Sequence, residues 1–119
     1  TTTSNLKNTY GTVQLWTPAG IVDTGQQFLG TMFGDHVKTG IGSMLTTGTV
    51  LGTGANVYGA SVHPKFVAPF AWGAGEPYAT FQASKFIDVA ERMMKRRGVQ
   101  LGDALRRHLV RAHARATNS

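Results

Sequence analysis

Residues 33–62 read FGDHVK, TGIGSM, LTTGTV, LGTGAN, VYGASV, five consecutive blocks of six. The fifth place is small or Val throughout (Val37, Ser43, Thr49, Ala55, Ser61), and every block but the one starting at Thr39 opens on an apolar residue. Glycine takes the second place in three of them, as Gly34, Gly40 and Gly52. A period of six is neither the 3.6-residue face of an α-helix nor the irregular spacing of a hairpin meander. It is the period of a parallel β-helix, whose opening and fifth side chains point inward and whose corners favour glycine because it accepts positive φ. A disordered glycine-rich run would not hold its apolar residues in register. The repeat therefore predicts a mainly β protein, a single-stranded parallel β-helix of hexapeptide repeats followed by one or two C-terminal α-helices.

The rest of the chain fits around that stretch. At 119 residues it has room for one domain with a small core. The net charge of +6 is not spread evenly. Residues 1–79 balance Lys7, Lys38 and Lys65 against Asp23, Asp35 and Glu76, so the whole excess sits in residues 80–119. The absence of cysteine excludes disulfides and thiolate metal sites. No apolar run reaches membrane-spanning length and no signal-peptide pattern occurs, so the expected compartment is the cytoplasm, with no membrane partner.

Residues 1–76 are assigned to the coils and 77–119 to a helical extension. Thr1–Gly11 carries no start signal, and an uncapped coil would expose parallel strand edges, so further coils are expected upstream. Residues 11–26, GTVQLWTPAGIVDTGQ, break the register and read as an inserted two-stranded loop turning at PAG. Pro64, Pro69, Phe70 and Trp72 suggest a bulky apolar plug closing the coil. Beyond the Gly73–Pro77 linker, Phe81, Phe86, Ile87, Val89, Ala90, Met93 and Met94 form a helical stripe that Gly98 ends. Asp103 is then placed to N-cap a second helix from Ala104 to about Ala114, with Leu105, Leu109 and Val110 on one face.

The run GDHVKTGIGSMLTTGTVLGTGANVYG, preceded by TTTSNLKNTYG and followed by FAWG and MKRRG, carries a resemblance. Over residues 1 to about 100 the chain resembles the C-terminal half of the GlmU-like bifunctional UDP-N-acetylglucosamine pyrophosphorylase and glucosamine-1-phosphate N-acetyltransferase family, in its alternative bacterial branch of sugar nucleotidyltransferases. The resemblance implies a left-handed winding and a homotrimer. It also implies transfer of an acetyl group from acetyl-CoA, as co-substrate, to an amino sugar phosphate. By the same resemblance Asn5 contacts the sugar, and Ile41 and Gly59 present backbone groups to the CoA arm. Leu6 stands where the better-known branch has tyrosine. The family's general base is a histidine one coil before the segment matching Thr1–Gly11, so no catalytic residue is assigned here and the chain is expected to be inactive alone.

The remaining candidates read as structural. His36 beside Asp35 reads as a turn residue, His36 and His63 fall on different faces, and His108 and His113 as solvated helix positions, so no metal site is expected. The basic tail lacks interleaved aromatics and any recognised nucleic-acid module, so it reads as a solvated helix face, with no nucleic-acid partner. Two function classes remain. One is the acyltransferase part of a sugar-nucleotide biosynthesis protein, and the other a non-catalytic trimerising or regulatory module of a nucleotidyltransferase.

Overall fold

The six-residue blocks fold as two-residue strands separated by sharp corners. A computed structural model describes residues 1–117. The strands are β1 (Thr2–Thr3), β2 (Gln14–Thr17), β3 (Gly20–Asp23), β4 (Met32–Phe33), β5 (Lys38–Thr39), β6 (Met44–Leu45), β7 (Val50–Leu51), β8 (Asn56–Val57), β9 (Phe66–Val67), β10 (Ala71–Gly73) and β11 (Ala79–Thr80). Two helices follow, α1 (Ala83–Arg96) and α2 (Asp103–Thr117).

These strands do not make the single continuous left-handed parallel β-helix that the repeat predicted. They form four small sheets, ordered β1-β6, β11-β10-β8-β5, β2-β3 and β4-β7-β9. Pairing is mixed, since β2–β3 and β10–β11 are antiparallel while the other pairs are parallel. Two physical causes break continuity. Turns containing the left-handed residues Gly42, Gly48 and Gly54 separate β5 from β6, β6 from β7 and β7 from β8, leaving strands of two residues there. The offset between partners also changes. Met32 pairs with Val50 and Lys38 with Asn56, eighteen residues on, but Val50 pairs with Phe66 and Asn56 with Trp72, only sixteen on.

Local expectations fare differently at different positions. Leu45, Leu51 and Val57 open their blocks and are buried, as are Ser43, Thr49 and Ala55 at fifth places, whereas Phe33 is half exposed. Leu45, Leu51, Ala55, Val57, Val67 and Ala71 make one apolar cluster. The second-place glycines serve a purpose the repeat did not suggest. A Cβ on Gly34, Gly40 or Gly52 would lie 2.6, 2.7 or 2.5 Å from an atom of the neighbouring corner, so close backbone approach, not positive φ, demands glycine there.

Residues 14–23 form an antiparallel hairpin turning at Pro18 and Ala19, with Trp16 stacked on Phe66 at 3.6 Å. At the other end Phe70, Phe81, Phe86, Ile87, Ala90 and Leu109 form a second cluster that ties both helices to the strands. Trp72, expected in that plug, is 38% exposed. Helix α1 ends on Gly98 (φ 71°), whose N–H donates to the Lys95 carbonyl at 3.0 Å. Helix α2 includes Asp103 and runs past Ala114, and of its expected face only Leu109 is buried while Leu105 and Val110 are partly exposed.

Candidate functional site

The structure brings Ile41 and Gly59 together and leaves Asn5 apart. Corner 40–42 stacks on corner 58–60, since a Cβ on Gly40 would meet Tyr58 Cβ at 2.7 Å and one on Gly42 would meet Ala60 Cβ at 3.2 Å. The Gly40 N–H donates to the Val57 carbonyl at 2.7 Å, which fixes that register. Ile41 is 97% exposed on this shelf, and among the described residues its backbone N–H and carbonyl take no hydrogen-bond partner. Gly59 is in the left-handed region and its carbonyl accepts from the Ser61 N–H at 2.9 Å. Asn5 follows β1 whereas Ile41 precedes β6, and β1 and β6 run parallel, so the two lie at opposite ends of that ladder. The Asn5 carbonyl accepts from the Leu29 N–H at 3.0 Å.

Three of the four histidines, His36, His63 and His113, are more embedded than the sequence suggests, while His108 is exposed. His36 adopts a left-handed backbone (φ 59°) and its ring meets Phe86 edge-on at 5.7 Å, with Nδ1 buried and unpartnered. Burial lowers its pKa below the ordinary histidine value; Lys38 adds to this and Asp35 opposes it. His63 is buried, with Nδ1 2.6 Å from the Tyr78 hydroxyl and Nε2 unpartnered, and burial again lowers its pKa. His113 is not a solvated helix residue. Its ring packs on Phe70 at 4.8 Å and Nε2 lies 2.6 Å from the Phe81 carbonyl. Among the described residues no three of His, Cys, Asp and Glu gather so as to hold a metal ion.

A cavity of about 600 Å³ lies between the Asp35–His36 corner and helix α2. Phe70, Met93 and Leu109 give it an apolar lining, and His108 and Arg115 face it beside Asp35 and His36. A carboxylate, two imidazoles and a guanidinium thus share one largely apolar space. Sequence reasoning missed this grouping because the corner and α2 are some seventy residues apart, with no short-range signal linking them.

A second feature lies on the outer surface of the parallel ladders. In β6, β7, β8 and β9 the second side chain is buried and the first is not, and Met44 and Val62 stand side by side on the β6 ladder, 39% and 59% exposed. Ile41, half-exposed Phe33 and exposed Phe28 add to the apolar surface of the strand-bearing part. The chain matches no family model. It matches none of the curated proteins either. No described helix is long and apolar enough to cross a membrane.

Proposed function

We propose that this chain is a non-catalytic assembly module of a sugar-nucleotide biosynthesis protein, in which copies of the chain pair through the outward apolar face. The carrying observation is the register of Met44 and Val62, exposed apolar neighbours on a parallel ladder, with Ile41 97% exposed on the preceding corner. Large apolar side chains grouped on one surface mark an interaction site. The occupant is a second copy because the strand-bearing part is charge-neutral, Lys7, Lys38 and Lys65 offsetting Asp23, Asp35 and Glu76. Like copies meeting there bring no net charge together, whereas the basic helices would repel one another. The resemblance gives the number three and the sugar-nucleotide setting, and with it the cytoplasm.

Light scattering on the purified chain tests the proposal. A trimer that Met44→Glu with Val62→Lys converts to a folded monomer is the expected outcome. A wild-type chain that stays monomeric at every concentration refutes it.

One observation favours a second reading, part of an acetyl-CoA-dependent amino-sugar-1-phosphate N-acetyltransferase. The Ile41 N–H and carbonyl are unpartnered on an exposed shelf above Gly59, where an extended acyl-carrier arm could take backbone hydrogen bonds. Asn5 lies at the other end of the ladder. Under this reading the chain contributes to binding and not to the chemistry. Micromolar acetyl-CoA binding by titration calorimetry supports it, and no heat at millimolar acetyl-CoA removes it.

A further inference from the structure

The β2–β3 hairpin folds over a groove that neither reading uses. About 260 Å³ lies between Trp16 and Ile21 on the hairpin and Thr47 and Lys65 on the strand body, with Lys7 also lining it. The Lys65 ammonium donates to the Thr47 carbonyl at 2.5 Å and the Lys7 ammonium to the Thr12 carbonyl at 3.3 Å. Each ammonium has three donors, so both keep hydrogen-bonding capacity for a ligand. Among the described residues no carboxylate lies within ion-pairing distance of either lysine. The Asp23 carboxylate, whose pKa Lys7 helps to lower, is held by the Thr12 hydroxyl at 2.9 Å and the Gly25 N–H at 2.9 Å, and does not line the groove.

Two ammonium groups with no ion-paired carboxylate among the described residues face one partly enclosed space and repel each other. The Lys65 pKa is lowered first by burial and then by Lys7. A dianion between them relieves the repulsion, and a phosphomonoester is a dianion near neutral pH. The opposite wall is apolar and rigid, because Trp16 is clamped by its 3.6 Å stack on Phe66 and is paired across the hairpin with Ile21. The volume suits a phosphate with one ring-sized group and is small for a dinucleotide.

We propose that this groove binds a phosphate-bearing small molecule, the phosphate between Lys7 and Lys65 and the organic body against Trp16 and Ile21. The site is independent of the assembly face. Titration calorimetry on the full chain with phenyl phosphate and, separately, inorganic phosphate tests it, alongside Trp16 fluorescence in a Trp72→Phe background.

Phenyl phosphate is expected to bind at least ten-fold more tightly than inorganic phosphate and to quench Trp16. Lys7→Met is expected to weaken both ligands by at least ten-fold, Lys65→Met likewise, and Trp16→Leu phenyl phosphate alone. Lys7→Met decides the matter if Lys65→Met does not fold, since the Lys7 ammonium makes a single contact to a carbonyl. Absence of binding by both ligands, or binding unchanged in Lys7→Met, overturns the site. Equal affinity for the two ligands overturns the role given to Trp16.

Discussion

Replacing Gly52 with alanine should be among the most damaging small changes available in this protein. The new methyl would lie 2.5 Å from the Pro69 nitrogen, 2.7 Å from its Cδ and 2.8 Å from its Cα, whereas carbon atoms in contact sit at about 3.5–4.0 Å. The two corners must therefore part by about 1 Å. They are held at that point by the Gly52 N–H to Val67 carbonyl bond at 2.9 Å, flanked by buried Leu51 and Val67. Parting stretches that bond beyond the useful range and leaves its groups unsatisfied, at about 1–3 kcal/mol. Overpacking adds about 1–3 kcal/mol, and partial relaxation brings the expected loss to about 3 kcal/mol. For a domain of this size that is a fall in Tm on the order of 10 °C.

Gly75→Ala is the matched control. A Cβ there meets nothing within 4 Å and the backbone is not in the left-handed region, so stability should rise by about 0.4–1 kcal/mol through the unfolded chain. Urea unfolding followed by circular dichroism measures both. Gly52→Ala within about 1 kcal/mol of wild type would refute the stacked-corner account.

Three further outcomes are expected. Phe86→Ala should cost about 3–5 kcal/mol, because the ring is 1% exposed and meets Phe70 edge-on at 5.0 Å, while Leu105→Ala, 38% exposed, should cost under about 1 kcal/mol in the same assay. Stability should fall as the pH drops below the ordinary histidine value of 6.5, because His36 and His63 have lowered pKa values in the fold and bind protons more readily when unfolded. Denaturant midpoints from pH 7.5 to 5 would show the slope, and His63→Gln should flatten it; Asp23, also lowered, contributes only near and below its ordinary 3.8. Glu91→Gln should cost less than about 1 kcal/mol, since the Arg106–Glu91 pair is about half exposed, and the difference should vanish in roughly 1 M salt when melting curves are compared.

Much of the local structure was legible because it depends on neighbours in sequence. The helical stripe marked α1, Gly98 its end and PAG the hairpin turn, each by a short-range rule of periodicity or backbone freedom. The inward places of Leu45, Leu51 and Val57 followed from the alternation of a two-residue strand. The global architecture was not legible in the same way. A six-residue period records where corners fall, but whether rungs join into one continuous sheet depends on partner offsets, which shift from eighteen residues to sixteen across β7 and β8.

Candidate sites divide along the same line. Ile41 and Gly59 came together because they occupy equivalent corners eighteen residues apart, a spacing visible in the repeat, whereas the distance of Asn5 from them follows from the parallel β1–β6 pairing across an inserted hairpin. The burial of His63 against Tyr78 and the seating of His113 on the Phe81 carbonyl depend on contacts between distant segments.

By itself, then, the sequence determined the short strands and corners, the hairpin, the two helices and the confinement of excess positive charge to the C-terminal third, all set by backbone preference and composition. Tertiary structure alone decided how the rungs divide into four sheets and why Gly34, Gly40 and Gly52 tolerate no side chain. It also decided which polar groups share the Asp35–His36 cavity and the Lys7–Lys65 groove. Those depend on which distant backbones approach within about 3–4 Å, a distance that packing sets and no local pattern encodes.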